Sequence, residues 1–583
     1  MGKFGGEAME LDEYQRIASR TEESRVLVVA PPGSGKTTVL LERLGLTMDS
    51  GVAPGRILVL TFSKAAAEEL KARFGGDRKP FFGTLHGFSY RMLRSLGIDV
   101  SLVYGKPEQE VKLLMQRSLN LAREDIDNLM RDFSAYRMAL FKGAESRKEA
   151  MALRDDVFRK AMDLYEGFKK ERNLMDFDDL QTRFLSLLED QELTYKIRRT
   201  FTHILVDEFQ DLDPVQLQIL VKLSEGGSIF CVGDEDQCIY AFRGSDPSAM
   251  MDFEDRFGGR KLYLKYNYRS SRTIVDYAGE VIRFNRARND KELLPDRKDL
   301  TRIRKVFPPS QEGMLSDIST EVMKDIYGSY AVLYRTNEEG ERIREHLRRE
   351  KIPFRCRDGY SFYRTMVARD ILEYMKYAAT GDPRHFARVA NKPYRYIPKD
   401  DLRRMASGED VKTVLLSGEK GDFAKGRMKE LIRDLKPMSR KSPRDLVRYI
   451  GKVLGYEDYL KDYSERTGRD IDELNGDLDE MLELAGNHRM LAAFLEESMK
   501  EPESDPSAKL LLSTIHGVKG LEFDKVFLVN CVEGIMPQAV TGADLEEERR
   551  IFYVGITRAR HELDIYSPRT IHGKERKRSR FVI

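Results

Sequence analysis

The segment PPGSGKTTVLLERL, residues 31–44, constrains this chain more than any other, because it joins an apolar run, RVLVVA from Arg25, to a helical pattern starting near Lys36. A strand that ends in a glycine-containing loop and continues as a helix aims loop N–H groups and a helix N-terminus at one spot, which favours an anion. Lys36 adds a point charge there, and the hydroxyl of Thr37 suits a divalent cation. Ala30, Pro31, Pro32, Gly33, Ser34, Gly35, Lys36, Thr37 and Thr38 are therefore the candidate phosphate-binding residues, with ATP and Mg²⁺ as the expected ligands. Ala30 stands where such loops usually begin with glycine.

A loop of this kind belongs at the carboxyl edge of a parallel sheet. The sequence supplies strands for one: RILVLT from Arg56, HILVDE from His203, SIFCVGD from Ser228 and KLYLKY from Lys261 are short β-rich runs of the kind buried in parallel sheets. Between Phe88 and Met175 this signal gives way to charged helical pattern such as REDIDNLMRDFSAYRMALFKG. SYAVLYR from Ser329, DKVFLVN from Asp524 and ELDIYS from Glu562 resume it, and from about Thr380 to Asp505 helical pattern returns. The expectation is an α/β chain of two parallel-sheet cores, each with an inserted mainly helical domain. The first core takes 1–87 and 175–270 around an insertion at 88–174; the second takes 271–379 and 506–583 around an insertion at 380–505. Length agrees, since 583 residues at roughly 150 per domain is about four domains.

Asp207 and Glu208 close the strand HILVDE, the edge at which open parallel sheets bind ligands. An isolated acid pair there caps the next helix; with a phosphate loop upstream, Asp207 is the expected Mg²⁺ ligand and Glu208 the group that orients and deprotonates the attacking water. Hydrolysis also calls for positive charge where the γ-phosphate gains negative charge. Arg269 in YNYRSS and Arg558 in GITRAR are the candidates, and because Arg558 belongs to the second core, a nucleotide touching both lies between the cores.

Composition removes other classes. No apolar run approaches the ~20 residues of a membrane span, and the start, MGKFGGEAMELDEYQ, has neither an apolar signal core nor Ser or Thr at Gly6 for myristoylation, so a cytoplasmic protein is expected. Cys231, Cys238, Cys356 and Cys531 lack the paired spacing of a metal cluster, and neither a cluster nor a disulfide framework is expected. With a net charge of +2, any nucleic-acid track must be a local basic stripe. The basic end, KERKRSRFVI, reads as a solvated tail that adds at most phosphate contacts.

Taken in order, LDEYQ near Leu11, APPGSGKTT, LTFSKAAAEEL from Leu60, GTLHGFSYRML from Gly83, VDEFQDLDPVQ, VGDEDQCIYAFRG from Val232, YNYRSS, VLYRTNEEGERIREHL from Val332, GYSFYRTMVARDILEYMKY from Gly359, TIHGVKGLEFDKVFLVN from Thr514 and EEERRIFYVGITRAR from Glu546 resemble the motif series of the UvrD/Rep/PcrA helicases of superfamily 1. The resemblance covers essentially the whole chain. It implies RecA-like cores, called 1A and 2A, with helical insertions 1B and 2B. It implies that Gln15 reads adenine, Tyr268 stacks on it, Gln237 senses the γ-phosphate, Glu522 faces the nucleotide from 2A, and Arg269 and Arg558 are arginine fingers. On single-stranded DNA and single-strand/duplex junctions it implies contacts from Phe62, Tyr240 and Phe242, with His86, Arg243 and His516 nearby, and movement from 3′ to 5′. Aromatic faces suit this because base stacking tolerates any sequence.

The chain departs from the pattern in places. It has no Trp, and Phe242 stands where Trp is frequent; Lys64 falls one position earlier than the usual lysine. The expectation is of the family's core without the C-terminal extension or nuclease domain that some relatives carry. Three other readings share many of these residues: an ATP-driven nucleoprotein remodeller or single-strand translocase without processive unwinding, an RNA-directed motor, and a phosphate-loop enzyme acting on a small molecule. Strand separation measured beside ATPase, competition of DNA with RNA, and stimulation by polynucleotide separate them.

Overall fold

Strands whose side chains are apolar on both alternations must be covered on both faces, and helical crossovers provide that cover. A computed structural model of the chain describes residues 10–75, 80–143, 153–357, 362–418, 422–499, 505–538, 541–571 and 573–583. Gly6 and the first three residues of the GYSFYRTMVARD motif lie outside them.

The first sheet consists of β1 (Arg25–Val29), β2 (Ile57–Leu60), β3 (Phe81–Gly83), β4 (His203–Val206), β5 (Ser228–Gly233) and β6 (Arg260–Tyr263). All pairings are parallel, in the order β3-β2-β4-β5-β1-β6. β5 therefore lies between β1, which feeds the phosphate loop, and β4, which ends at the acid pair. Three loops leave the same edge side by side. Val26, Leu27, Val28, Leu58, Val59 and Ile229 are fully buried, so the sheet is a rigid floor for those loops.

The second sheet repeats the architecture with β7 (Ile303–Val306), β8 (Tyr330–Tyr334), β9 (Arg355–Cys356), β10 (Leu510–Thr514), β11 (Phe523–Leu528) and β12 (Ala559–Tyr566). Its order is β9-β10-β8-β11-β12-β7, again parallel throughout. These are the two RecA-like cores. β3, β7, β9 and β10 carry no signal singled out in the sequence: three are two to four residues long, β7 reads IRKV with two charges, and LLLST of β10 directly follows helical pattern.

Helices Lys106–Leu119, Arg123–Phe141 and Asp155–Glu171 form the first insertion around Val111, Met115, Leu129, Phe133, Phe158 and Tyr165. The second is larger, and helix Met366–Thr380 buries Val367, Ile371 and Met375 in the same cluster as Leu446, Leu460, Leu474 and Met481. The insertions touch: Ala122 N–H donates to the Tyr463 hydroxyl at 2.8 Å, and Arg469 Nη1 donates to Asp125 Oδ1 at 2.9 Å. No helix among the described residues is long and apolar enough to cross a membrane.

The basic end is solvated only in its charged residues: Lys574, Lys577, Arg578 and Arg580 are exposed, but the segment is docked at its last residues. Phe581 and Val582 are buried in the second core, Ser579 N–H donates to Cys531 O at 3.0 Å, and Arg580 forks onto Glu533. The two buried apolar residues among the last three hold the end in place, because burying each is worth about 1.5–3 kcal/mol.

Candidate nucleotide site and nucleic-acid face

Gly33 (φ 71°) and Gly35 (φ 81°) turn the loop after β1 through left-handed backbone. A Cβ on Gly33 would lie 2.7 Å from Arg269 Cβ, and one on Gly35 2.6 Å from Gln15 Nε2, so neither position tolerates a side chain. Helix Lys36–Asp49 starts at Gly35 with no side-chain cap, which leaves its first N–H groups for a ligand. The loop is held from both flanks. Gln15 Nε2 donates to Ser34 O at 3.0 Å, Asn267 Nδ2 to Pro32 O at 2.7 Å, and Tyr268 N–H to Gly33 O at 2.9 Å. Ala30 N–H donates to Gly233 O at 2.8 Å, continuing the ladder past the last strand residue.

Gln15 and Tyr268 stand on either side of this loop. Gln15 also accepts from Asp12 N–H, closing a capping box on helix Glu13–Arg20, and this bond and the one to Ser34 O use one lone pair of its oxygen and one of its amide hydrogens. Tyr268 is 37% exposed, with its hydroxyl donating to Asp12 Oδ2 at 2.5 Å.

Asp207 is buried at the end of β4, its N–H bonded to Leu60 O at 2.8 Å. Glu208 follows at φ 52°, a left-handed conformation rare for a non-glycine residue and typical of strained functional positions. Burial and the adjacent Glu208 push Asp207 up to about 7, with Lys36 offsetting only part. Burial also raises Glu208, but Lys36, Lys519, Gln210 and Arg558 together bring it below the usual glutamate value, so of the pair Glu208 is the one held ionised. Asp207 is near enough to Lys36, at the start of the helix, for that lysine to lower it, and a buried carboxylate with the hydroxyl of the adjacent Thr37 is a hard oxygen donor set of the kind that suits Mg²⁺.

Gln210, to which sequence reading gave no role, is fully buried. It donates to Glu208 Oε2 at 2.5 Å and accepts from Asp234 N–H at 2.9 Å, tying the acid pair to the end of β5. Gln237, just beyond, donates to Asp234 Oδ2 at 2.7 Å and accepts from Arg558 Nη2 at 3.3 Å. That last bond crosses from one core to the other.

Arg558 is 1% exposed, and its other bonds go to Val554 O, Leu521 O and Thr557 Oγ1. Every hydrogen bond it makes among the described residues thus ends on a neutral oxygen. Burial, with Arg269 nearby, lowers it to about 9. Arg269 Nε meets Glu522 Oε2 at 2.5 Å, and Glu522 also holds Arg560. A second bridge, again unread from sequence, is Lys519: its Nζ lies 2.5 and 2.6 Å from the Asp211 carboxylate and donates to Gln237 O at 2.8 Å. The structure therefore brings Lys36, Asp207, Glu208, Gln237, Arg269, Glu522 and Arg558 to one cleft.

The aromatic residues form a separate cluster. Phe62 and Tyr240 stack at 4.9 Å and 10°, His516 lies 6.2 Å from Tyr240 and 6.0 Å from Phe242, and the Arg243 guanidinium sits 5.5–5.6 Å from the Phe62, Tyr240 and Phe242 rings. Phe242 is 41% exposed, which leaves part of an aromatic ring open to solvent. His86 packs edge to face with Phe177 at 5.7 Å and is near enough to Arg243 to feel its charge. Burial, helped by nearby arginines, lowers both His86 and His516 to about 4, so at neutral pH both rings are uncharged. Lys64 is exposed on the first turn of helix Lys64–Phe74, 3.8 Å from Glu68.

Comparison with known proteins agrees with this geometry. Residues 11–258 match the UvrD/REP helicase N-terminal domain, and residues 262–569 the UvrD-like helicase C-terminal domain. The chain is 30% identical to YjcD of Bacillus subtilis (strain 168), over 98% of this chain and 80% of that protein. It is 29% identical to the ATP-dependent DNA helicase PcrA of the same organism, over 98% and 85%. To the ATP-dependent DNA helicase Rep of Escherichia coli (strain K12) it is 27% identical, over 95% and 90%. With one family domain over each core and its insertion, this chain belongs to the UvrD/REP helicase family.

Proposed function

We propose that this chain is an ATP-dependent DNA helicase that moves 3′ to 5′ along single-stranded DNA in the cytosol and opens duplex at single-strand/duplex junctions, with hydrolysis in the cleft between 1A and 2A driving the motion. The observation that carries this reading is Arg558: a buried guanidinium from one core, bonded among the described residues only to neutral oxygens, reaching Gln237 of the other. Such a group is poised to exchange a weak neutral partner for the γ-phosphate.

In this reading Lys36 and the free N–H groups of the loop grip the phosphates, and Gln15 with Tyr268 seats the adenine. Thr37 and Asp207 hold Mg²⁺, which supplies charge neutralisation at the phosphates. Glu208, held by Gln210, orients the attacking water and takes its proton. Glu522 holds Arg269 until the nucleotide competes for it. The cores, with the boundaries drawn from sequence, act as two jaws that close on ATP and relax after hydrolysis.

The aromatic cluster is the proposed grip on DNA. A base inserted between Phe62 and Tyr240 must part rings now stacked at 4.9 Å, so binding there is coupled to movement of the segment 240–243 that leads from Gln237. Tyr240→Ala is expected to weaken single-strand binding by about 1–3 kcal/mol, the value of one base stack, as measured by fluorescence anisotropy of a labelled oligonucleotide; unchanged affinity would remove Tyr240 from the track.

Unwinding assays on duplexes with 3′ or 5′ tails, run beside ATPase, test the function itself. Strand separation from the 3′ tail is expected. Hydrolysis with the bare duplex left intact would indicate a remodeller or translocase, and preference for the 5′ tail would reverse the polarity.

A further inference from the structure

Asp234, Glu235 and Asp236 follow β5, and all three are fully buried. Adjacent carboxylates without water are costly unless a cation is seated among them. That cation is Lys291, with a side chain 2% exposed and its Nζ 2.8 Å from Glu235 Oε1 and 2.9 Å from Asp236 Oδ2, together with a bond to Asp234 Oδ1. Arg288 adds a fork onto Asp236, its Nη2 at 2.8 Å from Oδ2.

Asp234 is where this charge matters. Its Oδ2 accepts from Gln237 Nε2, and its N–H donates to the Gln210 amide that holds Glu208. The residue that Lys291 grips thus orients Gln237 through its side chain and Glu208 through its backbone. Lys291 in turn belongs to a strap, residues 285–291, within the span assigned to the second core and bonded to a later helix of that core. Asn285 Nδ2 donates to Glu546 O at 2.9 Å, Arg286 N–H to Glu546 Oε1 at 3.0 Å, and Arg550 Nη2 to Ala287 O at 3.0 Å. The helix on which Glu546 and Arg550 lie, Gly542–Ile556, ends just before Arg558.

We propose that Lys291 is a positioning residue for ATP hydrolysis: by holding Asp234 it sets the orientation of Gln237 and Glu208, and through its strap it ties that orientation to the approach of the 2A helix that precedes Arg558. The inference rests on the ATPase reading above and extends it to a residue outside the nucleotide pocket. It differs from a purely structural role because it assigns Lys291 an effect on turnover that is separate from nucleotide affinity and from folding.

The test is steady-state ATPase of the full chain at saturating single-stranded DNA. Lys291→Met is expected to lower kcat by about 10²-fold, the cost of misplacing reacting groups by about 1 Å, while the KM for ATP stays within about threefold. Lys291→Arg, which keeps a cation against Asp234, is expected to recover most of kcat. Because methionine leaves buried carboxylates without their cation, Lys291→Met is also made together with Asp236→Asn, which lightens the excess charge. Thermal stability is expected to rise in that double variant with kcat still low. Wild-type kcat in a folded Lys291→Met protein, or recovery of kcat along with stability in the double variant, would overturn the proposal. Lys36→Ala is run in parallel: ATPase surviving that change would fault the nucleotide site itself, whereas its loss beside an active Lys291→Met protein would fault only the role of Lys291.

Discussion

Arg558→Ala is expected to lower kcat for DNA-stimulated ATP hydrolysis by about 10³- to 10⁵-fold, the range for an arginine that stabilises charge on a transferring phosphoryl group, with a much smaller change in the KM for ATP. The reasoning starts from its surroundings. A guanidinium 1% exposed has lost its water, and the oxygens of Val554, Leu521, Thr557 and Gln237 replace it without neutralising it. Burial pulls it down to about 9, which leaves it charged at neutral pH in a place that disfavours charge. Negative charge growing on the γ-phosphate relieves that penalty most in the transition state, so the effect falls on kcat. Arg558→Lys is expected to recover little, since an ammonium cannot reproduce the planar fork. A kcat within tenfold of wild type in a folded Arg558→Ala protein would take the second core out of the chemistry.

Glu208→Gln is expected to lower kcat by about 10²- to 10⁴-fold, the worth of a positioned general base, and to leave ATP binding nearly intact. The amide keeps the shape of the carboxylate and can still bond to Gln210, but it cannot accept the proton of water. Glu208 is suited to that task because the cations around it hold it ionised, while Asp207 beside it is raised to about 7. Titration with a fluorescent ATP analogue beside the ATPase assay separates the two effects. Loss of binding together with turnover would move Glu208 from water activation to nucleotide retention.

Both predictions rest on residues legible in the sequence, and the reason is physical. The strands before most of these motifs are largely apolar runs, so β1, β4, β5, β8, β11 and β12 announce themselves, and loops at their carboxyl ends converge whatever the rest of the chain does. Short strands do not announce themselves: Phe81–Gly83 and Arg355–Cys356 are held in place by their neighbours β2 and β10. The polar wiring was equally hidden. Gln210 acts on Asp234 across 24 residues and Lys519 on Asp211 across 308, and neither residue type nor spacing shows that a glutamine or lysine is buried. Lys291, in a run of charged residues, looks in the sequence like solvated surface; three buried acids make it part of the interior. At the basic end the charged residues are exposed as their pattern suggests, and the docking by Phe581 and Val582 is what that pattern does not show.

The account depends on one nucleotide being held by groups from both cores at once. The most direct measurement is a structure of the chain with a non-hydrolysable ATP analogue, Mg²⁺ and single-stranded DNA. It should place the γ-phosphate within hydrogen-bonding distance of Lys36 Nζ, Gln237 and the Arg558 guanidinium together. A γ-phosphate bound at Lys36 while Arg558 keeps its bonds to Val554 and Leu521 out of reach would contradict it.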